Sequence, residues 1–115
     1  MRIMTTLPQR DLRLVADAAR AAEAQGYDGV VTLENRHEPF LALGVAAVAT
    51  ERLQLATGVA IAFPRSPMVT ASTAWDLQLA SRGRFVLGIG PQVRAHNENR
   101  FSVKWSPPAP RLREY

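Results

Sequence analysis

Two polar clusters in this chain carry side chains that could do chemistry. Glu34-Asn35-Arg36-His37 closes the apolar run GVVTLE at positions 29–34. Pro91-Gln92-Val93-Arg94-Ala95-His96 follows the run FVLGIG at positions 85–90. Carboxylate, amide and imidazole groups can hold a polar ligand by hydrogen bonds, and an imidazole can also move a proton near neutral pH. A carboxylate at the end of a buried run, as at Glu34, either orients a ligand or caps a neighbouring helix. Asn35, His37 and His96 are further hydrogen-bonding candidates. The two histidines follow different apolar runs, and no converging set of ligands supports a metal, so none is expected. Gly88-Ile89-Gly90 is not a dinucleotide fingerprint: no third glycine follows three residues on, and Pro91 and the polar run do not open a helix. These glycines either let a ligand approach the backbone closely or form a simple turn. Neither a catalytic serine elbow nor a phosphate loop with lysine is present.

The elements that must position these clusters alternate. Leu12, Val15, Ala16, Ala19 and Ala22 fall at helical spacing within 11–25, and Gly26 stands at the helix stop. The run 29–34 is apolar and β-branched, as a strand buried on both faces should be. A nearly all-apolar helix is predicted over 38–51, with Pro39 at its first position. The next strand is Leu53 to Ala60, which leads through a loop to Ser66, a helix cap, and Pro67. That helix runs to about Ser81, with Trp75 read as core or helix–sheet packing. Arg82-Gly83-Arg84 breaks it before the strand at 85–90. Residues 2–6 form a weaker candidate strand. Strand, helix, strand, helix, strand, preceded by a helix, predicts an α/β fold with a parallel sheet and right-handed crossovers. Both polar clusters then lie at the C-terminal ends of strands, where such folds hold their ligands. Residues 91–110 show no clear periodicity, and 111–115 resemble a first helical turn. Trp105, in the proline-rich part of this stretch, could shield a ligand or a partner surface.

With 115 residues, 47% of them apolar, the chain is one globular domain or part of one. It has no cysteine, which excludes disulfides, thiolate metal sites and cysteine nucleophiles and fits a cytoplasmic setting. No apolar run of about 18 residues exists, so no membrane span is expected. The net charge of +4 gathers from Arg65 onward, where eight cationic residues face Asp76, Glu98 and Glu114. Without a nucleic-acid module or interleaved aromatics, this reads as a solvated surface or a contact for an anionic ligand or another segment, not as a nucleic-acid face.

The runs EAQGYDGVVTLENRHEPF and ERLQLATGVAIAFPRSPMVTASTAWDLQLASRGRFVLGIGPQVRAHNENRF resemble the luciferase-like monooxygenase superfamily. The joint pattern GYDGV, ERLQLATGV, SPMVTAS and GRFVLGIG is similar to its deazaflavin (coenzyme F420)-dependent oxidoreductases. The resemblance implies a TIM (β/α)8 barrel of roughly three times this length. The chain would supply a single partial domain over 1–115, about the first half of the barrel. It implies a flavin or deazaflavin at the C-terminal ends of the strands, with hydride transfer through it. Deazaflavin members typically end their second strand in Asp-His; here Glu34-Asn35 stands there, and Asn35 cannot act as a general acid. A non-prolyl cis peptide on the third strand falls at Gly58-Val59. A catalytic glutamate that some members place after the fourth strand falls near Val93.

The expected ligand face therefore gathers Glu34, Asn35, Thr57, Gly58, Val59, Gln92 and His96. The expected cofactor is coenzyme F420, with FMN as the alternative, and the partner a small-molecule substrate. A truncated binding or structural module without catalysis is the reading from another class. A half barrel leaves strand edges and an inner sheet face open, which predicts poor solubility, a molten state or a homo-oligomer.

Overall fold

The computed structural model describes residues 1–115. The helical segments within residues 12–80 begin where a polar side chain satisfies free backbone N–H groups. The Asp11 carboxylate accepts from Arg13 N at 3.0 Å, opening a 3-10 turn at Leu12–Leu14 that runs into α1 (Val15–Ala24). Glu38 Oε2 accepts from the backbone N of Phe40 at 2.6 Å and of Leu41 at 2.8 Å, and α2 follows (Phe40–Ala49). Pro39 is thus the residue before the helix, not its first position as expected. Ser66 Oγ accepts from Val69 N at 3.2 Å, with Pro67 first in α3 (Pro67–Ala80), as the sequence predicts.

A four-stranded sheet runs β1 (Met4–Thr6), β2 (Gly29–Thr32), β3 (Gln54–Thr57) and β5 (Phe85–Val86), parallel throughout. The expected strands 53–60 and 85–90 each break in two. Their second halves, β4 (Ala60–Ile61) and β6 (Ile89–Gly90), pair in parallel as a separate two-stranded sheet. A side chain stands at the break. Thr57 Oγ1 donates to the Gly88 carbonyl at 2.7 Å and accepts from Gly88 N at 2.9 Å. Ladder bonding resumes with Ala60 N to Gly88 O at 2.8 Å. Gly88 has no room for a side chain, because a Cβ there would lie 2.1 Å from the Thr57 carbonyl oxygen. The close approach that its glycine permits is therefore to this chain's own backbone. The Gly58–Val59 peptide is cis.

Alternation along the strands sets the two faces of the larger sheet. Val30, Leu55 and Phe85 point to the helices and are buried among Val15, Ala19, Phe40, Leu43, Ala46 and Leu77. The other face carries Met4, Leu33 and Val86 and is open. Small alanines on α1 and α2 let these two helices pack closely beneath the sheet. No helix is long and apolar enough to cross a membrane.

At the N-terminal ends of the strands, one carboxylate organises the turn into β3. Glu23 Oε1 accepts from Arg52 N at 2.6 Å and Leu53 N at 3.1 Å, and also from Glu51 N at 3.1 Å. Burial pushes this carboxyl up, but the three backbone donors and the nearby Arg52 charge outweigh it and leave it below its ordinary 4.5. A carboxyl lowered in the folded state stabilises above its unfolded value, and the gain is lost as pH falls through the folded one. Between about pH 6 and about pH 3, the parent is therefore expected to lose about 1 kcal/mol more stability than Glu23→Gln. Urea unfolding of both proteins across that range checks this; parallel pH profiles would contradict it.

Two expectations for the distal half are corrected. The polar run after Pro91 does open a helix: α4 spans Arg94–Phe101, and α5 spans Pro108–Glu114. The α4 sequence RAHNENRF is polar all round, so it shows no apolar stripe, and its support includes an Arg94–Glu98 pair one turn apart. The second correction is Trp75, which is 69% exposed and belongs to no core. Apolar residues occupy every side of α3, so periodicity does not identify its buried face.

Candidate functional site

The C-terminal ends of β2, β3 and β6 open onto a cleft of about 300 Å3. Leu33, Glu34, Asn35, Gly58, Val59, Ile61, Gly90, Pro91 and Gln92 line it. It brings together Glu34, Asn35, Gly58, Val59 and Gln92 of the seven residues expected from the sequence. Thr57 lies behind it, 3% exposed, with its hydroxyl committed to Gly88. His96 is exposed on α4 and is not part of the lining. A second hollow shares Leu33 and Asn35 and adds Gln9 and His37.

Glu34 faces the cleft with its charge already matched. Its Oε2 accepts from Ile61 N at 2.6 Å and Arg65 Nη1 at 2.7 Å, and its Oε1 accepts from Arg65 Nη2 at 2.8 Å. The side chains are 6% and 18% exposed, so this is a largely buried, two-pronged ion pair. Arg65 also donates to the Ile61 carbonyl at 2.8 Å, and its guanidinium lies 5.3 Å from the Phe40 ring centre. Burial pulls the guanidinium down, but the Glu34 hydrogen bonds and the charges of Glu34 and Glu38 hold it above its ordinary value. These bonds tie the end of β2 to β4 and to the loop that leads to α3.

Arg65 is the residue that sequence reasoning missed. It appears there only as the first of a series of cations, 31 positions from its carboxylate partner. A single arginine between the buried Phe63 and a helix cap was the available signal, and it names no partner. The rest of the cleft is apolar or amide. Val59 is 44% exposed and Leu33 38%, giving the lining an apolar surface, with Asn35 and Gln92 at its rim. Gln92 has φ +58 and turns its own Oε1 back to accept from Val93 N at 2.8 Å. Such a set can hold a flat, largely apolar ligand with polar edges. No group of three metal-ligating side chains occurs.

Comparison with known proteins adds to this geometry. The family model for luciferase-like monooxygenases matches residues 2–115. An uncharacterised protein of Mycobacterium tuberculosis is 52% identical over 104 residues, covering 90% of this chain and 31% of that protein. The 5,10-methylenetetrahydromethanopterin reductase of Methanolobus tindarius is 31% identical over 110 residues, covering 94% of this chain and 33% of that protein. A monooxygenase from Streptomyces bottropensis superposes with a TM-score of 0.85 at 20% identity, covering 99% of this chain and 40% of that one. The coenzyme F420-dependent tetrahydromethanopterin reductase of Methanopyrus kandleri superposes at 0.75 with 25% identity, covering 86% and 29%. The oxygenating constituent of 3,6-diketocamphane monooxygenase from Pseudomonas putida, solved with FMN, superposes at 0.73 with 17% identity, covering 90% and 33%. The chain spans about a third of the length of the curated relatives it matches.

Proposed function

This chain belongs to the luciferase-like monooxygenase family, and from that premise we propose that it forms part of the cofactor site of an oxidoreductase that uses a deazaflavin of the coenzyme F420 type. The observation that carries the reading is the cleft itself. Strand ends bring Glu34, Asn35, Gly58, Val59 and Gln92 into one lining, with an apolar surface and amide groups at the edge. That donor set fits a flat heteroaromatic ring with carbonyl and N–H edges. The choice of deazaflavin over FMN is supported by the 31% identity to a methylenetetrahydromethanopterin reductase and the likeness to an F420-dependent structure. The FMN-bound neighbour, at 17% identity, shares the fold alone.

When bound, the deazaflavin supplies hydride transfer. Val59 and Leu33 keep water from the ring surface, and Asn35 and Gln92 bind and orient its polar edge. Neither amide moves a proton. Glu34, held by Arg65 and Ile61 N, has no oxygen free of a partner. His37 is the one imidazole lining either hollow. The substrate is a small organic molecule.

Titrating the chain with oxidised deazaflavin and, separately, with FMN tests this by absorbance and fluorescence. Saturable spectral change is expected with deazaflavin, at lower concentration than with FMN. Tighter FMN binding would favour the reduced-flavin monooxygenase reading. No change with either would leave the chain a structural module.

A further inference from the structure

The loop that closes the cleft after β6 is held in an unfavourable shape from beneath. Gln92 occupies the left-handed backbone region at φ +58, which a residue with a side chain seldom adopts. The carbonyls on either side of it share one donor. Asn97 Nδ2, on α4, bonds Pro91 O at 2.8 Å and Val93 O at 3.1 Å. Asn97 is fully buried, yet its Oδ1 has no hydrogen-bond partner. Both unfavourable features serve one outcome, the placing of Gln92. Its Oε1 is tied back to Val93 N, and its Nε2 makes no hydrogen bond within the chain while the residue lines the cleft. Strain of this kind gathers where a side chain is held ready for a ligand.

We propose that Gln92 Nε2 donates to a ring carbonyl oxygen of the flavin-type ligand, and that Asn97 is the positioning residue that sets Gln92 for it. The inference rests on the cofactor reading above and adds how the ring edge is recognised. Asn97 acts only through the Pro91–Val93 backbone, so its effect must vanish when Gln92 has no amide to place.

The experiment is a cofactor titration of the chain and of Gln92→Gly, Asn97→Leu and the double variant, each with a thermal melt. Glycine at 92 adopts the left-handed backbone freely and lacks the donor. Gln92→Gly and Asn97→Leu are each expected to weaken binding about tenfold, the loss of one ligand hydrogen bond. Asn97→Leu is expected to melt somewhat lower than the parent, because the Pro91 and Val93 carbonyls lose their shared donor, and the double variant to bind like Gln92→Gly alone. Losses that multiply in the double variant would show that Asn97 acts on the fold at large and overturn its positioning role. Should leucine prove too large for the site, Asn97→Ala takes its place in the same cycle. A parent that binds while Gln92→Gly binds equally well overturns this inference and leaves the cofactor reading standing. A parent that binds neither cofactor overturns both.

Discussion

Arg84→Met lowers the unfolding free energy by about 3 kcal/mol, the largest loss expected at the strands' N-terminal ends. Its guanidinium is a five-fold junction between elements. Nε donates to Ser81 O at 2.7 Å; Nη1 to Thr50 Oγ1 at 3.0 Å and Leu53 O at 2.7 Å; Nη2 to Ala47 O and Thr50 O, both at 2.8 Å. Ala47 and Thr50 end α2, where backbone carbonyls have no helical partner and a cation is favoured. Ser81 ends α3, and Leu53 leads into β3. Methionine keeps the apolar stem and removes every donor, leaving four backbone carbonyls without this partner. Lysine reaches only part of the set, since its ammonium lacks the planar fork, and Arg84→Lys is expected to lose about 2 kcal/mol. In urea the midpoint falls while the slope stays, because the surface exposed on unfolding is unchanged. The junction lies opposite the cleft, at the end of the sheet where barrels of this class carry stability and not chemistry. Cofactor affinity of the folded variant is therefore expected to match the parent. An unchanged midpoint would mean that water replaces all five bonds.

How much of this was legible in the sequence depended on whether a feature is local. The runs 29–34, 53–60 and 85–90 place strands because aliphatic and β-branched residues separated by helical stretches fit only a buried parallel sheet. The Ser66-Pro67 start of α3 is written in two adjacent residues. The breaks within the second and third of those runs are not local. They come from one hydroxyl, Thr57, meeting one glycine, Gly88, after β3 and β5 are already side by side. The same holds for the cleft. Its position at the strand ends followed from the α/β alternation, and five of its lining residues were named from it. The pairing of Glu34 with Arg65 and the grip of Asn97 on the Gln92 loop need the fold first. His96 was counted as a ligand group because it follows a strand in sequence; α4 carries it away from the lining.

Glu34→Gln is expected to cost about 3 kcal/mol and to loosen the cleft. The substitution keeps an oxygen that Ile61 N can use, but it puts an amide beside Arg65 and leaves that guanidinium partly buried without its carboxylate. An ion in that state is more harmful than the pair's net worth, because its desolvation is no longer offset. The same reasoning predicts the behaviour of the pair together. Glu34→Leu with Arg65→Met replaces both charges by apolar side chains and is expected to recover most of the loss that either single change causes. Urea unfolding of the singles and the double measures this coupling. Cofactor titration of the double separates the two consequences. The ion pair also holds Ile61 N and the Ile61 carbonyl, and so sets the loop between β4 and α3. If stability returns in the double while affinity stays low, the pair exists to shape the cleft. If both return, apolar packing shapes it as well as the charges do. Losses that simply add would show that Glu34 and Arg65 act independently despite their contact.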